Sequence, residues 1–86
     1  MNIVDEILEK LIEIISKYES YIDRIVMFIY TDEIYIFLSD NTPKNIIEEF
    51  VETVNEYCYG STLLCGDIKY NDIYGLYIYI SYSIES

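Results

Sequence analysis

The sequence predicts a two-layer α+β sandwich in the order α-β-β-α-β-β, with a four-stranded antiparallel sheet and both helices on one face. Three observations lead to this prediction. Two stretches place apolar residues at helical spacing, two pairs of stretches are rich in β-branched and aromatic residues, and short polar segments separate the members of each pair. Because 86 residues provide one modest hydrophobic core, we interpret residues 1–86 as a single domain.

The first helix is predicted over residues 3–18. Its apolar side chains fall on one stripe at intervals of three or four positions: Ile3, Val4, Ile7, Leu8, Leu11, Ile12, Ile15 and Tyr18. Charged residues occupy the opposite side, a pattern typical of a helix that buries one face.

The first hairpin is predicted from strands at 21–30 and 34–39, joined by a turn at 31–33. Near the turn, both alternating faces of the first strand are apolar. One face carries Ile25, Met27 and Ile29, and the other carries Val26, Phe28 and Tyr30. Strands of this kind lie at the centre of a sheet or at an interface.

The second helix is predicted over residues 43–58. Thr42 is the expected N-cap, and Pro43 is the expected first helical residue, where a missing N–H costs nothing. The stripe expected to be buried consists of Ile46, Ile47, Phe50, Val51, Val54 and Tyr57.

The second hairpin is predicted from strands at 61–70 and 73–84, and residues 73–83 contain no charged side chain. A three-residue loop at 71–73 separates polar from apolar faces better than a two-residue turn does. It pairs Tyr70 with Tyr74, Ile68 with Leu76 and Leu64 with Ile80. A bulge at Gly75 is an alternative that gives the same facial pattern.

The two halves of the chain, residues 1–40 and 41–86, share the helix–hairpin order and similar helix sequences. Two interpretations stay open. The halves are a duplicated unit, or they are alike because both are written mostly in Ile, Glu and Tyr, and we favour the second.

The charge balance argues against two classes of partner. The formal net charge is −11, and the five basic residues are scattered along the chain. Direct binding of nucleic acid and of anionic membrane surfaces both need clustered cations, so we expect neither. Asp5 and Glu6 stand where a signal peptide would be basic, and we therefore expect a cytoplasmic protein.

The sequence contains no recognisable catalytic motif. It has no histidine, and its three glycines form no nucleotide-binding loop. We expect no enzyme activity, no cofactor and no metal. The alternative is a small carboxylate-dependent or metal-dependent enzyme that uses a group of aspartates: Asp23, Asp32, Asp40, Asp67 and Asp72. Cys58 and Cys65 could form a disulfide, and two buried free thiols are the favoured interpretation.

The 11 tyrosines give the strongest functional indication. If the helices cover the Leu76 side of the last strand, its other side carries an aromatic contact surface. The residues predicted for it are Ile73, Tyr77, Tyr79, Tyr35 and Phe37. Tyrosine is favoured in the cores of protein interfaces. The competing interpretation is that tyrosine only supplies strand propensity on a half-wet sheet.

A second predicted surface is acidic and lies on the helices: Glu9, Glu13, Glu48, Glu49, Glu52 and Glu56. Together the two surfaces predict a non-enzymatic protein–protein interaction module. We expect a homodimer, formed through the uncovered sheet face or its edge, that presents acidic helices to a basic protein. The alternative within the same pattern is a structural protein that assembles through its tyrosine-rich sheet.

The Ile-, Tyr- and Glu-rich composition, the lack of His and Trp and the small size resemble accessory proteins of viruses that infect hyperthermophilic archaea. Small acidic anti-CRISPR proteins in that group are similar in general plan. The resemblance implies an inhibitor that acts in the host cytoplasm on a basic, nucleic-acid-binding host effector. A minor virion protein is one example of the structural alternative. The resemblance covers the whole chain but rests on no motif, so it assigns no role to any single residue.

Overall fold

The structure is a computed structural model that describes residues 3–56, 58–59 and 62–84, with side chains described for 8–56 and 64–82. Its elements are α1 (Ile3–Lys17), a short 3-10 turn (Glu19–Tyr21), β1 (Ile22–Phe28), β2 (Glu33–Leu38), α2 (Lys44–Asn55), β3 (Cys58–Tyr59), β4 (Thr62–Asn71) and β5 (Gly75–Ile84). The strands form one antiparallel sheet in the order β1-β2-β5-β4-β3. The predicted α+β class and element order are confirmed, and β3 adds a two-residue strand at one edge.

A single core lies between the helices and one face of the sheet. The helices contribute Leu11, Ile14, Tyr18, Ile47, Phe50 and Val54, and the strands contribute Ile34, Ile36, Leu38, Leu64, Ile78 and Ile80. All the strand residues in this core occupy even-numbered positions, because alternate side chains of a strand point to the same face. Both helices therefore pack on one face of the sheet, as predicted.

Tyr18 and Phe50 join the two helices inside this core. Their rings are stacked with centroids 4.7 Å apart, and both side chains are buried. The Tyr18 hydroxyl lies 3.3 Å from Thr53 Oγ1, which satisfies the one polar atom that this tyrosine carries into the core. The aromatic pair therefore fixes how α1 sits beside α2.

Gly66 lets α2 pass very close to β4. A Cβ atom placed on Gly66 would lie 3.0 Å from Val54 Cγ1 and 3.3 Å from Val54 Cβ. On the same side, the Asn55 side-chain amide accepts a hydrogen bond from the Gly66 N–H at 2.7 Å and donates one to the Gly66 carbonyl at 3.0 Å. The end of α2 is thus attached to the backbone of β4.

The second hairpin has the predicted three-residue loop, but the loop lies at residues 72–74 instead of 71–73. Tyr70 pairs with Leu76, and Leu64 pairs with Tyr82, so the predicted register is wrong by two positions. The reason is Gly75, which takes a positive φ of 78° directly after the loop, a conformation that glycine adopts at little cost. The Asn71 side chain supports the loop by accepting hydrogen bonds from the backbone N–H groups of Ile73 and Tyr74.

The first hairpin is shorter than predicted. β1 ends at Phe28, and Phe28 pairs with Glu33 across a four-residue turn. Within this turn Asp32 adopts a positive φ of 56°, and its carbonyl accepts a hydrogen bond from the Tyr82 N–H on β5 at 3.1 Å. That contact ties the turn to the middle of the sheet.

The start of α2 also differs from the prediction. Pro43 is the N-cap and not the first helical residue. Thr42 does not cap the helix, because its hydroxyl donates a 2.8 Å hydrogen bond to the Ser39 carbonyl. The Pro43 carbonyl accepts from the N–H groups of Ile46 and Ile47 in the first turn.

Replacing Gly66 tests how tightly α2 packs on β4. We expect Gly66→Ala to lower the free energy of unfolding by about 1–3 kcal/mol, because Val54 is fully buried and has little room to move. In a Val54→Ala background the same change should cost less, since the clashing methyl groups are absent. Urea denaturation of the four chains, followed by circular dichroism, measures the coupling. An equal cost of Gly66→Ala in both backgrounds would contradict the close contact.

Candidate functional site

The face of the sheet opposite the helices carries a layer of aromatic rings, which we call the aromatic face. Its members are Phe28 on β1, Tyr35 and Phe37 on β2, Tyr77 and Tyr79 on β5, and Tyr74 from the adjoining turn. Cross-strand pairing brings these side chains together, since Tyr35 pairs with Tyr79 and Phe37 with Tyr77. Neither helix packs on this face, because both contribute to the core on the other side.

Tyr35 is the centre of the aromatic face. Its ring centroid lies 4.7 Å from that of Phe28, 5.0 Å from Tyr77 and 5.7 Å from Tyr79. Phe37 extends the layer, with its ring 5.4 Å from Tyr77. Ring pairs at these distances stabilise each other by about 0.5–1.5 kcal/mol beyond the area they bury. The rings therefore hold one another in place without a covering element.

The rings are only partly shielded from solvent. Tyr35, Phe37, Tyr77 and Tyr79 are half-buried among their neighbours, while Phe28 is 41% exposed and Tyr74 is 59% exposed. A contiguous surface of this kind on one side of a small domain is available for contact with another molecule.

Four of the five residues predicted for the contact surface lie on the aromatic face: Tyr35, Phe37, Tyr77 and Tyr79. The placement of Ile73 on the last strand is wrong, since Ile73 lies in the β4–β5 loop, before β5 begins at Gly75, and is 82% exposed. Phe28 and Tyr74 are not among the residues predicted for this surface from the sequence. The alternation from Val26 to Phe28 could have indicated Phe28, but the position of Tyr74 depends on the loop register.

Two of the chain's five cations lie against this aromatic layer. The Arg24 guanidinium carbon is 4.6 Å from the Phe37 ring centroid and 5.5 Å from that of Tyr74. The Lys69 ammonium is 5.7 Å from the Tyr79 centroid and 3.5 Å from Asp67 Oδ2. Positive groups above aromatic rings are attracted by the negative ring faces.

Charge on the aromatic face is balanced, unlike charge on the chain as a whole. Arg24 and Lys69 supply the positive charges, and Glu33 and Asp67, which alternate onto the same face, supply the negative ones. The net charge of −11 therefore resides elsewhere. Contact through a neutral surface avoids most of the repulsion that two acidic chains would otherwise experience.

A shallow depression of about 290 Å³ opens beside this layer. Arg24, Phe37, Tyr74 and Asn71 are among the residues that line it. It combines apolar ring surface with a guanidinium and an amide, so it can receive an apolar or aromatic side chain that carries a polar end. The aromatic face is therefore not flat.

Glu33 and Tyr79 are joined by a hydrogen bond on this face. The Tyr79 hydroxyl and the Thr31 hydroxyl both donate to the Glu33 carboxylate, and these bonds lower the pKa of Glu33. The same contact with Glu33 raises the pKa of Tyr79. The hydrogen bond orients the Tyr79 ring beside Glu33, the first residue of β2.

The six glutamates predicted for the acidic surface are all exposed: Glu9, Glu13, Glu48, Glu49, Glu52 and Glu56. Two of them lie near lysines on the same helix, since Lys10 Nζ is 3.6 Å from Glu13 Oε2 and Lys44 Nζ is 3.9 Å from Glu48 Oε1. Exposed pairs of this kind contribute little and leave the carboxylates accessible. The helical side of the domain is therefore strongly negative.

The carboxylates considered for the alternative enzyme do not come together. Among the residues that the structure describes, no group of three or more Asp, Glu or Cys side chains could hold a metal ion. Cys65 is disulfide-bonded, so the favoured prediction of a free thiol is wrong for Cys65. The side chain of Cys58 lies outside the described residues.

In the described part of the chain, neither helix combines the length and apolar content that crossing a bilayer requires. Comparison of the chain with protein-family models, with curated proteins and with solved structures gives no match.

The Glu33–Tyr79 contact predicts a specific pKa change. We expect Tyr79→Phe to raise the pKa of Glu33 toward its ordinary value, because the carboxylate loses one of its two hydroxyl donors. Tyr77→Phe is the matched control, since Tyr77 lies on the same face but does not donate to Glu33. NMR titration of the Glu33 side-chain carboxyl measures both. Equal shifts in the two variants would contradict the assignment.

The sign of the linked stability follows from these directions. Because folding lowers the pKa of Glu33, its contribution to stability is present above the pKa of the unfolded chain and is lost as pH falls through the lower folded value. Tyr79→Phe should therefore reduce the loss of stability in that acidic window, and urea denaturation across it measures the change. The raised pKa of Tyr79 acts at the alkaline end, where its contribution is lost as pH rises through the folded value.

Proposed function

We propose that this protein is a non-enzymatic interaction module that forms a homodimer and presents acidic helices to a basic protein partner. The observation that carries the proposal is the aromatic face, a layer of mutually packed rings that no element of the described chain covers. The opposite side of the same domain is covered by helices with exposed glutamates.

The composition of the aromatic face supports a role in protein contact. Tyrosine, phenylalanine and arginine are enriched in the cores of interfaces, and residues that dominate binding energy are commonly Tyr and Arg. On this face Tyr35, Tyr77 and Arg24 are already held by neighbouring rings. A preorganised surface loses little side-chain entropy on binding, so more of the contact energy appears as affinity.

The acidic helices support a basic partner. Opposite charges on two proteins steer their encounter and raise the association rate, and salt reduces the effect. The resemblance to small viral accessory proteins suggests the kind of basic protein involved. It is a host effector that binds nucleic acid and exposes a positive channel, and we propose that this chain inhibits it.

Neutralising part of the acidic surface tests this proposal. We expect Glu49→Gln combined with Glu52→Gln to weaken capture of basic host proteins by the immobilised chain, and the loss should be largest at low salt. Asp40→Asn combined with Asp72→Asn is the matched control, because it removes the same charge from two exposed turn positions outside the two helices. Quantitative mass spectrometry of the captured proteins gives the comparison. If both double variants capture partners equally, the acidic helices are not the binding surface.

A further inference from the structure

We infer that a second copy of this chain pairs with the free edge of β1 in antiparallel orientation, with Val26 facing Val26 across a two-fold axis. This inference rests on the self-association in the proposed function and specifies where it occurs. It would join the sheets of two copies into one continuous sheet. The two edges of the sheet differ in how far they are protected.

The β4 edge is closed by contacts within the chain. β3 pairs with the start of β4, at Thr62 and Leu63. Further along, the Asn55 amide occupies both backbone groups of Gly66, and the Asp67 carboxylate accepts from the Ile68 N–H at 2.8 Å. Side chains that occupy outward backbone groups prevent another strand from pairing there.

The β1 edge has no such protection among the described residues. No hydrogen bond from a helix, loop or side chain reaches the outer side of β1, which pairs only with β2. From Ile25 to Phe28 its side chains are apolar, and Ile25 is 39%, Met27 48% and Phe28 41% exposed. The charged residues Asp23 and Arg24 and an irregularity in the pairing with β2 lie at the other end of the strand. An exposed apolar edge strand is a template for a further strand.

The direction of the backbone groups follows from Gly66. Its N–H and C=O point away from β5, toward Asn55. In an antiparallel sheet, consecutive residues of a strand point their N–H and C=O groups to opposite sides. Two paired residues on neighbouring strands point these groups either toward each other or away from each other. Through the pairs Gly66–Ile80, Ile80–Ile34 and Tyr35–Val26, the groups of Val26 therefore point toward β2. The N–H and C=O groups of Ile25 and Met27 point outward, away from the sheet.

The antiparallel register centred on Val26 uses both outward residues, Ile25 and Met27. With the two-fold axis at Val26, Ile25 of each copy forms a hydrogen-bonded pair with Met27 of the other, which gives four backbone hydrogen bonds. With the axis at Ile25, the charged Asp23 would lie opposite Met27. With the axis at Arg24, the two Arg24 side chains would lie opposite each other. The Val26 register avoids both arrangements.

Charge complementarity favours a second copy of this chain as the occupant. In the Val26 register Arg24 lies opposite Phe28 of the second copy, so each guanidinium can face an aromatic ring. Ile25 and Met27 meet as apolar pairs, and no like charges oppose each other between residues 24 and 28. The segment that makes the contact carries one positive charge in a chain of net charge −11, so repulsion is low where the copies meet.

The arrangement has a consequence for the two surfaces. A two-fold axis perpendicular to the sheet keeps the aromatic faces of both copies on the same side. Phe28 is the member of the aromatic face on β1, so the two ring layers would be joined across the axis. The acidic helices of both copies would lie together on the other side.

Cysteine cross-linking tests the register. Residues facing each other in a non-hydrogen-bonded antiparallel pair have Cα atoms about 4.5 Å apart, within the range that a disulfide spans. We expect Val26→Cys to form a covalent dimer under mild oxidation, several-fold above the unmodified chain on a non-reducing gel. Phe28→Cys is the control, because it lies on the same face of the same strand but opposite Arg24. Cross-linking that is equal in the two variants, or no greater than in the unmodified chain, would overturn the inference.

Charge variants of the edge provide a second test that leaves the core unchanged. Ile25→Lys with Met27→Lys places lysines opposite each other and should weaken the dimer at least about tenfold in sedimentation equilibrium. Ile25→Glu with Met27→Lys places opposite charges across the same pairs and should restore dimerisation. A Lys/Lys variant that dimerises like the unmodified chain, or a Glu/Lys variant that does not dimerise, would overturn the inference.

The outcomes separate this inference from the proposed function. If the unmodified chain is a dimer and only Tyr77→Glu on the aromatic face dissociates it, the edge proposal is wrong and the interaction module stands. If the unmodified chain is a monomer at several hundred micromolar, the edge proposal and the homodimer are both wrong. Capture by the acidic helices then remains a separate result.

Discussion

The structure depends on a mismatch between its sheet and its helices. The central strands are apolar on both faces, yet α1 and α2 together cover only one of them. The face under the helices becomes a core built mainly from isoleucine, leucine and valine, together with Phe50 and Tyr18. No helix of the described chain covers the other face. It is stabilised by contacts among its own aromatic rings, many of them tyrosines, whose rings pack together while their hydroxyl groups tolerate water.

The two faces of the sheet are packed differently. On the helical side, α2 packs so closely on β4 that Val54 leaves little room for a Cβ atom at position 66. On the opposite side, Tyr35 packs against three rings of neighbouring strands, and Arg24 covers the edge of the layer. The second arrangement leaves apolar surface exposed but organised. That combination is characteristic of surfaces that make contacts with other proteins.

Separation of charge follows the same division. Carboxylates without nearby cations, such as Glu49 and Glu52, lie on the helices, and the sheet face balances its charges between Arg24, Lys69, Glu33 and Asp67. The negative charge of the helical side favours solubility, while the balanced charge of the sheet face allows contact with another protein without strong repulsion. The proposed partner and the proposed second copy therefore use different surfaces and do not compete.

Much of the fold could be predicted from the sequence because its periodicity is strong. The helical stripes indicated α1 and α2 within a few residues, and strand alternation correctly assigned Tyr77 and Tyr79 to the face opposite the helices. The hairpin register was wrong by two positions, and this error left the facial assignment intact because side-chain direction repeats every two residues. A shift of one position would have reversed it.

The remaining differences depend on contacts that a one-dimensional pattern does not contain. The Thr42 hydroxyl could cap α2 or bond to Ser39, and in the turn before α2 it donates to the Ser39 carbonyl. Ile73 looked like a strand residue until Gly75 took the conformation that ends the loop. The internal duplication and the resemblance to viral accessory proteins stay predictions, because neither is decided by local geometry.

The asymmetry of the sheet edges determines how large an assembly of this chain can become. A subunit with two open edges could add copies at both ends and polymerise into a filament. In the described chain, pairing with β3, the Asn55 amide on Gly66 and the Asp67 carboxylate on Ile68 occupy outward backbone groups of β4 at the end of the sheet opposite β1. Growth by strand addition would then terminate at two copies, and these contacts, with the helix-terminal asparagine among them, would prevent fibre formation.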